Sequence, residues 1–201
     1  GATAECTPEY LLQYAHMGNF YAKRTLGLEN PRVGILNNGA EQSKGLALQQ
    51  ETYKLLQQAQ EEGRLNFIGN VEGREAILGG VDVLVTDGFT GNIFMKTYEG
   101  GLIMFADFMK TMFKSSLTSK LGYLTVKDQV AGFKKVFSPD EIGGTALVGI
   151  SKPVIKAHGS SDALAFRNAV KQAMDAANAD FSPELEQALK QLAATKEQTN
   201  D

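Results

Sequence analysis

Four loops of this chain combine glycine with side chains that can bind an anion. They read NNGAE, GNVEG, DGFTGN and HGSS, at residues 37–41, 69–73, 87–92 and 158–161. Glycine lets a backbone approach a ligand closely, while Asn, Ser and Thr supply hydrogen-bond donors. Each loop alone is also ordinary turn chemistry. Four loops of one type nevertheless indicate a shared phosphate or oxyanion site.

The elements around these loops predict how the loops are brought together. An apolar run precedes each of the first three loops and a helical pattern follows it, which favours an open α/β fold. The predicted sheet is mostly parallel, with helices on both faces. Ligands of such sheets gather at the carboxyl ends of the strands, where helix N-termini point. We expect a long helix to begin near Asn92, after the strand 81–86, and to reach Ser115.

Composition and motifs exclude several classes of function. The net charge of -3 gives no general case for binding nucleic acid, and no apolar run has the length of a transmembrane helix. Walker, dinucleotide-binding and nucleophile-elbow motifs are missing, as is a Cys/His cluster, so neither metal nor cofactor is predicted. Cys6 is interpreted as structural. His16 lies inside a helical pattern and is interpreted as a packed residue rather than a catalytic one.

The motifs resemble one known family. RVGILNNGAEQSKG, NFIGNVEGRE, DVLVTDGFTGNIFMKTYEG and KPVIKAHGSSDA are similar to the motifs of PlsX-type phosphate acyltransferases, from residue 1 to about residue 177. The resemblance implies a fold similar to that of isopropylmalate dehydrogenases and phosphotransacetylases. It also implies transfer of a fatty acyl group from acyl-acyl-carrier-protein to inorganic phosphate, giving acyl phosphate for phospholipid synthesis by a cytoplasmic homodimer.

The resemblance also suggests a domain organisation. Family members carry a further N-terminal α/β portion, so we expect residues 1–180 to be the C-terminal part of the catalytic unit and residues 181–201 to be a polar tail. Two alternatives to the acyltransferase stay open: another phosphate-using enzyme of the same fold group, or a non-catalytic module that docks a carrier protein or a membrane.

Phosphate is largely dianionic at neutral pH and needs positioning more than a general base. Catalytic roles are therefore assigned to donors for the developing charge, namely Asn92, His158 and Ser160. Phosphate and substrate contacts are predicted at the remaining polar and glycine positions of the loops, with one nearby lysine. These residues are Asn37, Asn38, Gly39, Asn70, Gly73, Asp87, Gly88, Thr90, Gly91 and Lys96.

The segment 108–137 has an unusual charge. It carries +5 while the rest of the chain carries -8. Its lysines alternate with apolar residues, a pattern suited to docking on an acidic acyl carrier protein or an anionic membrane surface, although a solvated helix face is the ordinary alternative. The six lysines are Lys110, Lys114, Lys120, Lys127, Lys134 and Lys135.

Overall fold

The computed structural model describes residues 1, 3–136, 143–150, 152–159 and 161–178. Within these residues the chain forms two compact units, one containing residues 1–95 and the other containing residues 96–178. The boundary falls inside a long helix. The predicted polar tail and Ser160 lie outside the described residues, so both stay predictions.

The first unit is an α/β layer. Its elements in chain order are α1 (Pro8–Thr25), β1 (Arg32–Asn37), α2 (Ala47–Glu61), β2 (Asn66–Glu72), α3 (Gly73–Ile77), β3 (Val83–Val85) and the start of α4 (Gly88–Lys114). The strands pair in the order β2-β1-β3, and both pairings are parallel. The predicted parallel sheet flanked by helices is therefore confirmed.

A single apolar core joins this sheet to its helices. Leu11 and Ala15 of α1 and Leu56 of α2 pack against Val33 and Ile35 of the central strand, and all five are at most 1% exposed. Burial of each large aliphatic side chain contributes about 1.5–3 kcal/mol. Residues 1–95 thus have their own core, which fixes the sheet edge where the loops emerge.

The start of α1 is fixed by a cap and a proline. The Thr7 side chain accepts a hydrogen bond from the Tyr10 backbone N–H, and Pro8 occupies the first helical turn. Proline suits this position because its missing N–H would have had no intrahelical partner. Further along, α1 passes close to β3: a Cβ on Gly18 would lie 2.5 Å from Val83 Cγ1. The glycine therefore sets the distance between helix and strand.

Two features fix the register of β1. At its amino end the Arg32 guanidinium forms two hydrogen bonds to Asp82, and hydrogen bonds from the Arg32 side chain and then its backbone N–H lower the pKa of Asp82 to about 2. A β-bulge also lies between β1 and β2, because Val33 pairs with Phe67 while Gly34 pairs with Gly69. Gly69 has a φ of 95°, a conformation that favours glycine.

The second unit contains the rest of α4, then α5 (Leu117–Val136), β4 (Gly144–Ala146), β5 (Ile155–Ala157) and α6 (Ala163–Asn178). Strands β4 and β5 form an antiparallel pair of their own. Ala165 and Ala169 of α6 are buried, and the helix packs on this pair. The two apolar runs around Pro153 are thus a hairpin, a local pairing that their length alone could not specify.

Candidate functional site

Three strand-end loops emerge at one edge of the sheet. Parallel pairing places Asn37 beside Glu72 and Ile35 beside Val85, so β1, β2 and β3 all end at the same side. The loops that follow contain the glycine-rich stretches found in the sequence. Their convergence is therefore confirmed for the three loops of the first unit.

Asn37 and Asn70 join two of these strand ends. The Asn37 amide Nδ2 donates to Asn70 Oδ1 at 3.0 Å and to the Lys44 carbonyl at 3.1 Å. Asn70 Nδ2 donates to the Glu41 carbonyl at 2.7 Å, and Asn37 Oδ1 accepts the Asn38 N–H at 2.8 Å. The pair thus holds the loop 38–45 in a defined shape, and both amide hydrogens of Asn37 are used for it.

Glycines make the same loop compact. A Cβ on Gly39 would lie 2.9 Å from the Glu41 carboxylate and from the Lys44 side chain. Gly45 has a φ of 87°, and a Cβ there would lie 2.8 Å from the Asn37 amide nitrogen. Because Asn37 needs that space, Gly45 belongs to the framework of the candidate site, although the sequence interpretation did not assign it.

The turn between β3 and α4 differs from its prediction. Helix α4 begins at Gly88 rather than near Asn92, because Asp87 caps it. The Asp87 carboxylate accepts the Thr90 N–H at 2.7 Å, and the Asp87 carbonyl accepts the Gly91 N–H at 3.0 Å. Aspartate is a strong N-cap, and its charge also suits the helix dipole. Thr90, Gly91 and Asn92 therefore lie in the first turns of the helix rather than in a loop.

Asp87 is ionised in this setting. Its side chain is buried, which by itself raises the pKa, but hydrogen bonds from the backbone N–H and hydroxyl of Thr90 outweigh burial and lower the pKa below its ordinary value. A fixed carboxylate at a helix start repels a bare anion. Asp87 thus shapes this turn, and its predicted contact with phosphate or substrate stays a prediction.

Three predicted site glycines allow close packing of the protein itself. A Cβ would lie 2.9 Å from the Phe94 ring at Gly73, 2.7 Å from Thr86 Cγ2 at Gly91 and 2.8 Å from the Thr3 carbonyl oxygen at Gly88. These contacts draw the first turns of α4 onto the strand ends. Contact of these glycines with a ligand stays a prediction.

The polar side chains near the start of α4 are placed for solvent access. Thr90 and Asn92 are exposed. Lys96 is exposed as well, and its amino group lies 2.7 Å from the Glu99 carboxylate, one turn further along. A surface ion pair of this kind is weak, and a phosphate role for Lys96 stays a prediction.

His158 belongs to the second unit. It is exposed directly after β5, and its carbonyl accepts the Ser161 N–H at 3.1 Å. Asp162 then caps α6 by accepting the Ala165 N–H at 2.8 Å. A catalytic role for His158 stays a prediction.

The two residues interpreted as structural have internal contacts. The Cys6 thiol donates to the Thr3 carbonyl at 3.2 Å. The His16 ring nitrogen lies 3.4 Å from the Arg64 guanidinium, and burial, followed by the Arg64 charge, lowers the pKa of His16 to about 4. His16 is therefore neutral at physiological pH, as expected of a packed histidine.

An apolar groove lies between α4 and α5. Its volume is about 960 Å³. Phe105, Met109, Phe113, Leu121 and Leu124 are among its lining residues, and lysines lie beside them at positions 110, 114 and 120. The sequence interpretation identified the lysines but not the groove, because a groove requires two helices whose packing the sequence pattern does not specify.

The described residues contain neither a metal-binding cluster nor a membrane-spanning helix. In those residues no group of His, Cys, Asp and Glu side chains could hold a metal ion. Likewise, no helix among them is both long and apolar enough to cross a bilayer.

Comparison with known proteins gives a consistent result. The family described as fatty acid synthesis protein matches residues 1–184. The chain is 49% identical over 173 residues to a phosphate acyltransferase of Streptococcus pneumoniae (strain ATCC 700669 / Spain 23F-1), covering 86% of this chain and 52% of the relative. It is 43% identical over 192 residues to a phosphate acyltransferase of Anoxybacillus flavithermus, covering 96% and 57%. The chain thus spans about half the length of these curated relatives.

Proposed function

The chain belongs to the family of fatty acid synthesis proteins, the PlsX-type family that its motifs resemble, and from this premise we propose that it takes part in phosphate acyltransfer. The proposed reaction moves a fatty acyl group from acyl-acyl-carrier-protein to inorganic phosphate. The observation that carries the proposal is the meeting of three glycine-rich strand-end loops at one sheet edge in a chain with these relatives.

The proposed chemistry needs little beyond positioning. A phosphate oxygen attacks the thioester carbonyl, the tetrahedral intermediate expels the thiolate of the carrier, and acyl phosphate remains. Because dianionic phosphate is already a nucleophile, the enzyme must supply orientation and donors for the oxyanion, and orientation alone can supply about 7–11 kcal/mol. Amide and hydroxyl donors on a rigid sheet edge suit that task better than a strong base.

The roles within the site follow from what each side chain already contacts. Asn37 and Asn70 use their amides to shape the loop 38–45, so we assign them to the framework of the phosphate site. Asn92 is exposed at the start of α4 and is assigned to the anion, whereas Thr90, whose hydroxyl donates to Asp87, is assigned to the framework. His158 is assigned to the oxyanion.

The test is thioester consumption by the full-length protein with and without inorganic phosphate. Phosphate-dependent consumption with formation of acyl phosphate is expected. Asn92→Ala should lower turnover by about 100-fold, the usual effect of losing one donor to a developing charge. Asn66→Ala is the matched control, because it removes the same side chain at the opposite edge of the sheet, where Asn66 contacts the Asn30 carbonyl.

Other outcomes point to the alternatives. Thioester consumption that does not depend on phosphate would contradict the proposed acyltransferase activity. Phosphate-dependent transfer to coenzyme A in place of the carrier would indicate a phosphotransacetylase-like enzyme. Binding of carrier protein without any turnover would indicate a docking module.

The groove segment, residues 105–130, is proposed to meet an acidic partner. Lysines beside an apolar groove suit the acidic surface of acyl carrier protein. Near an anionic membrane, each lysine contributes about 1 kcal/mol of binding free energy. Reversing the charge of Lys114, Lys120 and Lys127 should abolish binding to carrier protein, or co-sedimentation with anionic vesicles if the membrane is the partner. Reversal of exposed lysines at positions 23, 54 and 171 is the matched control.

We also propose a homodimer. Large apolar side chains of α4 and α5 are exposed, including Ile103 at 64%, Phe108 at 65% and Leu117 at 78%. Large exposed apolar patches mark interaction sites. Light scattering of the full-length protein should give twice the mass of one chain, and the mass of a single chain at micromolar concentration would contradict the dimer.

A further inference from the structure

Gly1 and Thr3 lie against the turn that begins α4. The Thr3 carbonyl accepts the Gly88 N–H at 2.7 Å. Both backbones approach without side chains between them, since a Cβ on Gly88 would lie 2.8 Å from the Thr3 oxygen and a Cβ on Gly1 would lie 2.4 Å from the Thr86 oxygen. The first N–H of a helix has no intrahelical partner. Here the Thr3 carbonyl is the partner of the Gly88 N–H.

Thr3 is in turn held by the core of the first unit. Its hydroxyl donates to the Glu5 carbonyl at 2.9 Å, so the Tyr14 hydroxyl, 3.4 Å away, is the donor to Thr3 Oγ1. The Cys6 thiol donates to the Thr3 carbonyl. Tyr14 and Cys6 both pack against the hydrophobic core. The Thr3 carbonyl is therefore held by Cys6 as well as by the turn, and the Thr3 side chain is held by Tyr14 of α1.

From these contacts we infer that Thr3, fixed by Tyr14, is a positioning residue for the proposed phosphate site. This inference rests on the proposed function. Gly88 directly follows Asp87, so a bond that orients the Gly88 peptide also orients the carboxylate that caps Thr90. Thr3 acts through Gly88 on the first turn of α4, where the exposed side chain of Asn92 is assigned to the anion.

The geometry accounts for the choice of glycine at position 88. A Cβ there must push the Thr3 carbonyl away or rotate the start of α4, because the opposing atom is backbone and has no rotamer to change. Small displacements matter at such sites, since a misplacement of about 1 Å can cost on the order of 100-fold in rate. The effect should fall on phosphate rather than on the acyl substrate, because only the turn moves.

The test measures KM for phosphate and for acyl-acyl-carrier-protein in the full-length protein. Gly88→Ala should raise the phosphate KM by about tenfold, within the range that ångström-scale misplacement produces, and leave the acyl KM within about twofold. Gly100→Ala is the matched control, because a Cβ at this position of the same helix meets no atom within 4 Å. An unchanged phosphate KM in Gly88→Ala, whatever its thermal midpoint, overturns the inference.

Milder variants keep the inference testable if Gly88→Ala does not fold. Tyr14→Phe and Thr3→Val remove the hydroxyl contact and should raise the phosphate KM by roughly two- to fivefold, as expected for loss of one neutral hydrogen bond. Thr3→Ser keeps the hydroxyl and should restore the parent value, while Tyr10→Phe, on an exposed position of α1, should change nothing. Equal phosphate KM in all four variants overturns the inference.

A binding measurement separates this inference from the proposed function. Inorganic phosphate alone is titrated into the parent and Gly88→Ala by calorimetry. Turnover with a normal phosphate response in the variants refutes only the role of Thr3. A parent that neither forms acyl phosphate nor binds inorganic phosphate refutes the proposed function and the inference with it. If the parent binds phosphate without turnover, weaker binding by Gly88→Ala supports the inference and equal binding overturns it.

Discussion

Asn70→Ala should lower the free energy of unfolding of the first unit. Asn70 is 8% exposed and accepts a hydrogen bond from Asn37 while donating one to the Glu41 carbonyl. The substitution removes both bonds at once. It also leaves the Asn37 amide with one donor unpaired and releases the loop 38–45 from the end of β2.

The magnitude follows from those two bonds. Each contributes about 0.5–1.5 kcal/mol net, and an unpaired buried donor costs a further 1–3 kcal/mol where water cannot replace its partner. Glu41 is exposed, so water replaces the lost donor at its carbonyl. The expected loss in the free energy of unfolding is therefore about 2–6 kcal/mol. For a protein of this length that loss lowers the thermal midpoint by roughly 4–24 °C.

Urea denaturation of the parent, Asn70→Ala, Asn37→Ala and the double variant measures the effect. Because the two amides share a hydrogen bond, the double variant should lose less than the two single losses added together, by on the order of 1 kcal/mol. Asn66→Ala is the control, since that side chain makes a single 3.2 Å bond to the Asn30 carbonyl, and it should lose less than 1.5 kcal/mol.

Two results would refute this reasoning. A loss below about 0.5 kcal/mol for Asn70→Ala, the range of ordinary surface changes, would show that the amide pair does not hold the loop. Strict additivity in the double-mutant cycle would show that Asn37 and Asn70 do not share a bond. In either case the two asparagines would return to the role of direct phosphate contacts.

Three further predictions concern packing and pH. The free energy of unfolding should fall as the pH drops from about 6.5 towards 4, because the folded state holds His16 neutral while the unfolded chain takes up a proton. The loss is on the order of 1–2 kcal/mol for a half-buried ring. Denaturation at pH 7.5 and at pH 5 should therefore show a smaller difference in stability for His16→Gln than for the parent. Leu56→Ala, at a fully buried position, should cost about 2–5 kcal/mol in urea denaturation. Gly18→Ala should destabilise by about 1–3 kcal/mol through its clash with Val83, whereas Gly100→Ala, in open space, should stabilise by about 0.5–1 kcal/mol; equal effects in the same assay would contradict both.

Local signals predicted much of the fold. The Thr7 and Pro8 pair gave the start of α1, and the alternation of apolar runs with helical patterns gave the parallel sheet and its converging loops. The start of α4 was placed four residues late, near Asn92 rather than at Gly88. The sequence pattern places Asp87 in the loop after β3, but its carboxylate caps a helix that tolerates two glycines in its first turn because they pack on Thr86 and Thr3.

The composition of the candidate site was more predictable than its contacts. The glycine and asparagine positions were found from their residue types, but whether each faces a ligand or the protein depends on long-range packing. Gly73 meets Phe94, and Gly88 meets Thr3, which is 85 positions away in the chain. The part played by Thr3 had no local signal, because it contributes a backbone carbonyl that any residue carries.

The β-bulge after Phe67 sets the phase of the second strand. If the present sequence paired without the bulge, Ile68 would lie opposite Gly34 and Asn70 opposite Leu36, so Asn70 would face the other side of the sheet from Asn37 and no rotamer could restore their bond. The bulge absorbs Ile68 and returns Asn70 to its place opposite Ile35. A backbone irregularity, rather than any side chain, thus decides which face of β2 reaches the neighbouring loop.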